Sequence, residues 1–212
     1  MDKEAKTEKY ILDHIDQEDA LLQQLDRETH LKIYGARMIS GHIQGQALYL
    51  FSRMIQPDRI LEIGTFTGYS AICLAKGLKE GGKLITIEVD DELEPLAREY
   101  VEKSGLKESI IQITGPALEV IPTLDETFDL VFLDADKREY SSCYQLFFDQ
   151  VRPGGFILAD NTLWSGKVLD SAGSCDEQTR GIMAFNEMIR DDSRVEKVIL
   201  PFRDGMTIIR KK

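Results

Sequence analysis

Two apolar runs in this chain end in oxygen-bearing side chains, Leu130-Val-Phe-Leu-Asp134-Ala-Asp136-Lys137 and Gly155-Phe-Ile-Leu-Ala-Asp160-Asn161. If both runs are neighbouring parallel strands, Asp134, Asp160 and Asn161 arrive at one sheet edge. An all-oxygen set of this kind suits a hard cation such as Mg²⁺ rather than zinc. Three protein ligands also leave coordination positions open, which a catalytic metal needs if substrate is to enter its shell. The competing reading makes these residues helix caps or polar loop positions. Lys137 lies three residues past Asp134, where its amine can turn back toward the cluster. A divalent cation nearby disfavours an ammonium, so Lys137 is a candidate general base as well as a possible surface lysine. Asp136 is either an outer support of the cluster or a helix cap.

A second constellation begins at Arg59-Ile-Leu-Glu-Ile63, which runs into Gly64-Thr-Phe-Thr-Gly68 and then a helix near Tyr69 and Ser70. Glycines are wanted where backbone must approach a ligand without a Cβ in the way. The dinucleotide fingerprint needs three of them, so that a pyrophosphate can settle on the helix N-terminus, and this loop has two. Glu62 would repel a phosphate there, whereas it suits the ammonium of a methionine moiety. Glu88 ends the run Leu84-Ile-Thr-Ile-Glu-Val-Asp90, where a carboxylate can accept hydrogen bonds from both hydroxyls of a ribose. Asp90 and Asp91 fit the cap of the following helix better. Gly115-Pro-Ala117 forms a tight, small-residue turn against which an adenine could lie. The two acidic strand ends point together to a nucleoside-bearing cofactor with a cationic part; a nicotinamide-dependent oxidoreductase is the rival from another class.

The elements that must position these residues follow from periodicity. Strand-like runs occur at 59–63, 84–89, 109–113, 128–133 and 155–159, and amphipathic helical stretches at 68–79, 91–104, 116–122, 138–150 and 177–190. Gly105 reads as a helix C-cap. Val195 to Pro201 and Met206 to Arg210 read as two strands joined by a turn at Asp204-Gly205, a closing antiparallel hairpin. Helices are expected at 18–31 and 42–56, ahead of the first strand. The predicted fold is α/β: a Rossmann-like, doubly wound, mostly parallel seven-stranded sheet with a C-terminal antiparallel hairpin and N-terminal helices. Residues 1–212 are expected to form one domain, a helical preface over 1–57 and a core over 58–212. Ligands in such folds sit beyond the carboxyl ends of the strands, where both constellations fall.

Composition bounds the rest. With 212 residues, 42% apolar and 30% charged, the chain has the make-up of one globular domain. It contains no run of roughly 18 apolar residues, and its first residues are charged, so neither a span nor a signal peptide is expected and the cytoplasm is the default location. Cys73, Cys143 and Cys175 show no paired spacing and read as reduced, structural thiols. The net charge of -11 disfavours tight binding to a phosphate backbone, and acidic residues offset the N-terminal basic ones. His14, His30 and His42 lack ligand spacing, while Tyr140, Phe147 and Phe148 fit a core-facing helix.

Taken together, Met38-Ile-Ser40, Gly45-Gln46, Glu62 to Ser70, Gly115-Pro-Ala117, Asp134-Ala-Asp-Lys137, Asp160-Asn-Thr-Leu-Trp164 and Asp204-Gly205 resemble the cation-dependent O-methyltransferases. That family includes catechol and caffeoyl-coenzyme A O-methyltransferases, and the resemblance spans nearly the whole chain in family order. It implies that Glu62, Gly64, Thr65, Ser70, Glu88, Ala117 and Asp134 contact S-adenosylmethionine, with Met38 and Ser40 closing over it. It further implies Asp134, Asp160 and Asn161 as ligands of Mg²⁺ or another divalent cation, Lys137 as general base with Asp134 beside it, and Trp164 as an aromatic wall for the acceptor. A homodimer with N-terminal helices at the interface is expected. One departure bears on substrate: where plant caffeoyl-coenzyme A enzymes carry a basic, aromatic insertion, Ser165 to Gln178 is short and bears Asp170, Asp176 and Glu177 against Lys167 alone. The implied acceptor is therefore a small, vicinally oxygenated phenol. A 5-hydroxyuridine of transfer RNA is the alternative acceptor, and a non-catalytic S-adenosylmethionine-binding partner protein the alternative class.

Overall fold

A computed structural model of the chain describes residues 3–170 and 176–212. Seven strands form one sheet: β1 (Arg59–Ile63), β2 (Lys83–Glu88), β3 (Ile110–Thr114), β4 (Phe128–Leu133), β5 (Val151–Ala159), β6 (Val195–Leu200) and β7 (Met206–Lys211). Their order is β3-β2-β1-β4-β5-β7-β6. Strands β1 to β5 pair in parallel, and β7 is antiparallel to both β5 and β6. The described helices are α1 (Lys3–Leu12), α2 (Ala20–Lys32), α3 (Gly41–Ile55), α4 (Tyr69–Ala75), α5 (Glu94–Lys103), α6 (Ala117–Val120), α7 (Tyr140–Phe147) and α8 (Glu177–Asp191).

The central strands are mostly apolar because both of their faces are covered. Alternate residues feed two separate cores. Leu61, Ile63, Val131, Leu133 and Ile157 join Tyr144, Phe147, Ile182 and Phe185 on one side, while Ile60, Leu130, Phe132 and Leu158 join Leu48, Ile72 and Tyr100 on the other. The predicted mostly parallel, doubly wound sheet with a closing hairpin is thus the observed one.

Differences from the sequence reading have local causes. Strand β5 starts at Val151 rather than 155: Val151 pairs with Phe128, and a register shift before Leu130–Phe156 absorbs Pro153 and Gly154. A bulge is where a strand tolerates proline. Helix α4 stops at Ala75 instead of 79, because the next turn tightens, Gly77 N–H donating to Leu74 O and Leu78 N–H to Ala75 O. Helix α1 escaped individual assignment, since its apolar residues Tyr10, Ile11 and Leu12 are exposed and leave no buried stripe to read. Asp90 caps the short 3-10 turn 91–93 by accepting from Glu92 N–H, and Asp136 likewise caps 137–139 through Arg138 N–H.

At the opposite sheet edge from the candidate site, Asp129 ties three strand starts together. Its carboxylate accepts from Asp58 N–H (2.8 Å), Arg59 N–H (2.9 Å) and Arg152 Nε (2.5 Å). Cys73 and Cys143 are buried free thiols, and Cys175 lies outside the described residues. No described helix is long and apolar enough to cross a membrane.

Candidate active site

Strand register sets the level at which the functional side chains emerge. Ile63 lies opposite Ile87 of β2 and Leu133 of β4, and Leu133 lies opposite Ala159 of β5. The next residues therefore stand in one row: Gly64, Asp134 and Asp160 just past their strands, and Glu88 as the last residue of β2. Backbone bonds continue the ladder past the strand ends: Gly64 N–H to Ile87 O (2.9 Å), Asp134 N–H to Ile63 O (2.9 Å) and Asp160 N–H to Leu133 O (3.0 Å).

In the oxygen cluster, Lys137 is buried and its Nζ donates to Asp134 Oδ1 and to Tyr140 Oη, both at 2.8 Å. Tyr140 Oη in turn lies 3.1 Å from the carbonyls of Leu133 and Asp160, so its one proton is shared between backbone acceptors and its lone pair faces the lysine. Asp160 is 4% exposed; its Oδ1 accepts from Asn161 N–H (2.8 Å) and its Oδ2 from Gln44 Nε2 (2.6 Å). Burial, and then the charge of Asp134, push the Asp160 carboxyl up to about 6. Among the described residues, the Asn161 carboxamide has no hydrogen-bond partner.

The backbone after β5 is held in an uncommon shape. Asn161 (φ 56), Trp164 (φ 48) and Ser165 (φ 52) are all left-handed non-glycine residues. Such conformations persist only where surroundings over-determine them. Here the turn at 202–205 is the clamp: Thr162 and Leu163 N–H donate to the carbonyls of Gly205 and Asp204 (2.9 Å each), and Ser165 N–H to the Asp204 side chain. Gly205 (φ 85) is required, since a Cβ there would lie 2.7 Å from Leu163 N. The clamp sets half-buried Trp164 over the lysine, with Lys137 Nζ 5.8 Å from its ring centroid, and Trp164 Nε1 is buried without a partner.

The loop after β1 forms the second half of the site. Gly64 (φ 103) admits no side chain, because a Cβ would collide with Asp134 O. Glu62 is fully buried; Thr65 Oγ1 and Thr86 Oγ1 lie 2.5 Å apart, and Thr86 donates to Glu62 Oε2 at 2.5 Å. Glu62 Oε1 is buried and makes no hydrogen bond. Burial pushes this carboxyl up to about 8, against the Ser70 and Thr86 hydroxyls, which favour its charged form. Glu88 does more than end its strand: it accepts from Phe66 N–H (2.7 Å), Val89 N–H (2.9 Å) and Asp90 N–H (3.1 Å). A small cleft lined by Thr65, Phe66, Glu88, Ala97 and Ile113 opens beside it. Ser40, Ser70 and Ala117 are buried at the starts of α3, α4 and α6, whereas Met38 is 60% exposed and stands at the surface.

Comparison with known proteins decides the family. The profile described as O-methyltransferase matches residues 13–212. The chain belongs to the O-methyltransferase family. It is 36% identical over 174 residues to the catechol O-methyltransferase of Niastella koreensis, with 78% of each chain covered. Among solved structures, the O-methyltransferase of Bacillus cereus in complex with SAH superposes with a TM-score of 0.91 at 29% identity, covering 98% of this chain and 97% of that one. The O-methyltransferase TomG of Streptomyces achromogenes, in complex with SAM, gives 0.91 at 30% identity, covering 100% and 99%.

Within this methyltransferase, Asp134, Lys137, Asp160, Asn161 and Trp164 come together as one cluster, and Glu62, Gly64, Thr65 and Glu88 as an adjoining one. The described residues contain no group of three or more His, Cys, Asp and Glu able to hold a metal. The oxygen set predicted to hold one is two carboxylates, Asp134 and Asp160, with one carboxamide, Asn161. Its hard donors, one of them without a hydrogen-bond partner among the described residues, fit a divalent cation. The unpartnered, buried Glu62 Oε1 fits a cationic ligand group. Gln44, Thr86 and Tyr140 belong to the site and were not singled out for it by the sequence. Tyr140 carries the helical spacing of a core residue, which its ring is, while its hydroxyl meets Lys137 and two backbone carbonyls.

Proposed function

We propose that this methyltransferase uses S-adenosylmethionine and Mg²⁺, or a similar divalent cation, to methylate an oxygen of a small, catechol-like aromatic. What supports the cofactor is the orphaned, buried Glu62 Oε1, together with the SAM and SAH complexes of the two structural relatives. Glu62 would hold the methionine ammonium and Glu88 the ribose, with Ser70, Ala117 and Asp134 lining the remainder and Met38 and Ser40 closing over it. Asp134, Asp160 and Asn161 would hold the cation. When bound, S-adenosylmethionine supplies an electrophilic methyl group and the cation supplies Lewis acidity toward paired oxygens.

The chain's own residues do the rest. Lys137 Nζ, fixed between Asp134 and Tyr140, is placed so that its neutral amine, once its own proton has passed to solvent, would take the proton of the acceptor hydroxyl. Trp164 covers that nitrogen, excludes water and offers a flat face to an aromatic ring. Fixing the acceptor oxygen relative to the methyl donor contributes an effective molarity that encounter in solution lacks. The observation that carries the reading is the row formed by Asp134 and Asp160 on neighbouring strands, with a buried lysine amine 2.8 Å from the first.

The test is methyl incorporation from labelled S-adenosylmethionine into catechols, monophenols and transfer RNA, with and without a chelator. Methylation of catechols alone, abolished by chelation and restored by Mg²⁺, is expected. Chelator-resistant turnover, or label entering only transfer RNA, would overturn the proposal.

We further propose a homodimer through the N-terminal helices, supported by the exposed Leu31, Tyr34 and Met54. Light scattering should give twice the mass of the chain; a monomer at micromolar concentration would refute it.

A further inference from the structure

Helix α3 is locked against α4 at unusually close range. A Cβ on Gly45 would lie 2.5 Å from the Tyr69 ring and 2.8 Å from Cys73 Sγ, and Ser52 Oγ donates to Leu74 O at 2.7 Å. Gln44, Leu48 and Ser52 follow each other at four-residue spacing and are all buried, so they form one stripe of the helix. Leu48 and Ser52 serve packing. Gln44, at the head of the stripe and 2% exposed, instead spends its amide on Asp160, 116 residues away in the chain.

A buried carboxamide is costly unless hydrogen-bonded, and an apolar residue of the same length would fill this position without that cost. The choice of glutamine therefore points to what its N–H does. Asp160 has two fixed donors, Asn161 N–H on Oδ1 and Gln44 Nε2 on Oδ2. The first comes from the adjacent residue and turns with it; the second comes from a separate, rigidly packed helix. Donors of this kind fix the direction of a ligating carboxylate, and their loss weakens metal binding.

We infer that Gln44 is a positioning residue: its side-chain N–H, presented from the rigid α3–α4 pair, aims the Asp160 carboxylate for binding a divalent cation. The inference rests on the proposed metal reading and adds to it a residue that touches neither ion nor substrate. It also gives the N-terminal helical preface a direct mechanical hold on the catalytic edge.

The experiment is titration with Mn²⁺ alone, following the free-ion signal by electron paramagnetic resonance, with no methyl donor or acceptor present. Wild-type chain, Gln44→Met, Gln44→Asn and Asp160→Asn are compared. Methionine keeps the length and removes the donor; asparagine keeps the amide and withdraws it by about 1.5 Å, so a folded variant is available even if one fails. Both Gln44 variants should bind Mn²⁺ about 10- to 100-fold more weakly than wild type. In turnover assays the deficit should appear in the metal concentration required, and the rate at saturating metal should recover to within a few-fold. Binding by both variants within threefold of wild type, with Asp160→Asn failing to bind, would show that Gln44 only fills space. Failure of the wild type itself to bind would instead bring down the metal reading, and this inference with it.

Discussion

Replacing Asp160 by asparagine should lower methyl transfer on the order of a thousandfold, about 4 kcal/mol of transition-state stabilisation, without lowering the melting temperature of the ligand-free protein at pH 7.5. The loss follows from the proposed role: asparagine keeps the shape of the side chain but removes one of two carboxylate charges at the edge. The unchanged or raised stability follows from burial. The Asp160 carboxyl stands at about 6 in the folded protein against an ordinary 3.8, raised first by burial and next by Asp134. The unfolded chain thus gives up this proton earlier than the folded one as pH rises, and stability is lost between about pH 4 and pH 6. A neutral side chain escapes that loss. The measurements are initial rates with labelled methyl donor and scanning calorimetry over pH. Turnover within tenfold of wild type would remove Asp160 from the catalytic edge, and a melting temperature lower by many degrees would assign it a structural role instead.

The second large effect concerns Glu62. Burial holds its carboxyl at about 8, well above the ordinary 4.5, and its Oε1 has no partner. Here too the folded state keeps its proton longer than the unfolded state, so ligand-free stability should decline as pH rises from about 4.5 to 8 and then level off. At pH 7 the decline amounts to roughly 3 kcal/mol, the product of the pKa gap traversed and the energy of one unit. An ammonium placed against Glu62 would favour the ionised form, so cofactor binding should release a proton and tighten as pH rises through 7 to 8. Glu62→Gln should remove both slopes. It should melt higher than wild type near pH 7 and bind S-adenosylmethionine at least tenfold more weakly, since a charge-assisted contact is lost. Calorimetric titration in buffers of different ionisation enthalpy counts the released proton directly. An affinity within threefold of wild type, or binding with no proton release, would refute the assignment of Glu62 to the ammonium.

Both cases have one physical basis. With both carboxyls raised by burial, the two carboxylates should destabilise the ligand-free fold at neutral pH, and each sits where a cation is proposed to bind. Stability given up at the site would then be recovered by ligand, the usual relation between strain at functional positions and function.

Much of this was readable from residue order. Strands β1 and β4 fall where apolar runs predict them, and an apolar run that stops at an acid marks both a strand end and a side chain delivered to the edge. That local rule is enough to nominate Glu62, Glu88, Asp134 and Asp160, and the spacing from Asp134 to Lys137 is short enough for one turn to join them. The sheet's parallel body and its closing hairpin follow from the same alternation of elements. Three-dimensional packing alone decided the rest. Gln44 reaches Asp160 across 116 residues, and Thr86 reaches Glu62 because β1 and β2 share a register. Tyr140 looks like any core aromatic until its hydroxyl is seen between Lys137 and two carbonyls. The left-handed run at Trp164 and Ser165 exists because the distant turn at Asp204 and Gly205 clamps it. Periodicity along a chain reports which face a side chain occupies; it carries no information about which distant group stands opposite, and in this protein those opposite groups hold the candidate site residues in place.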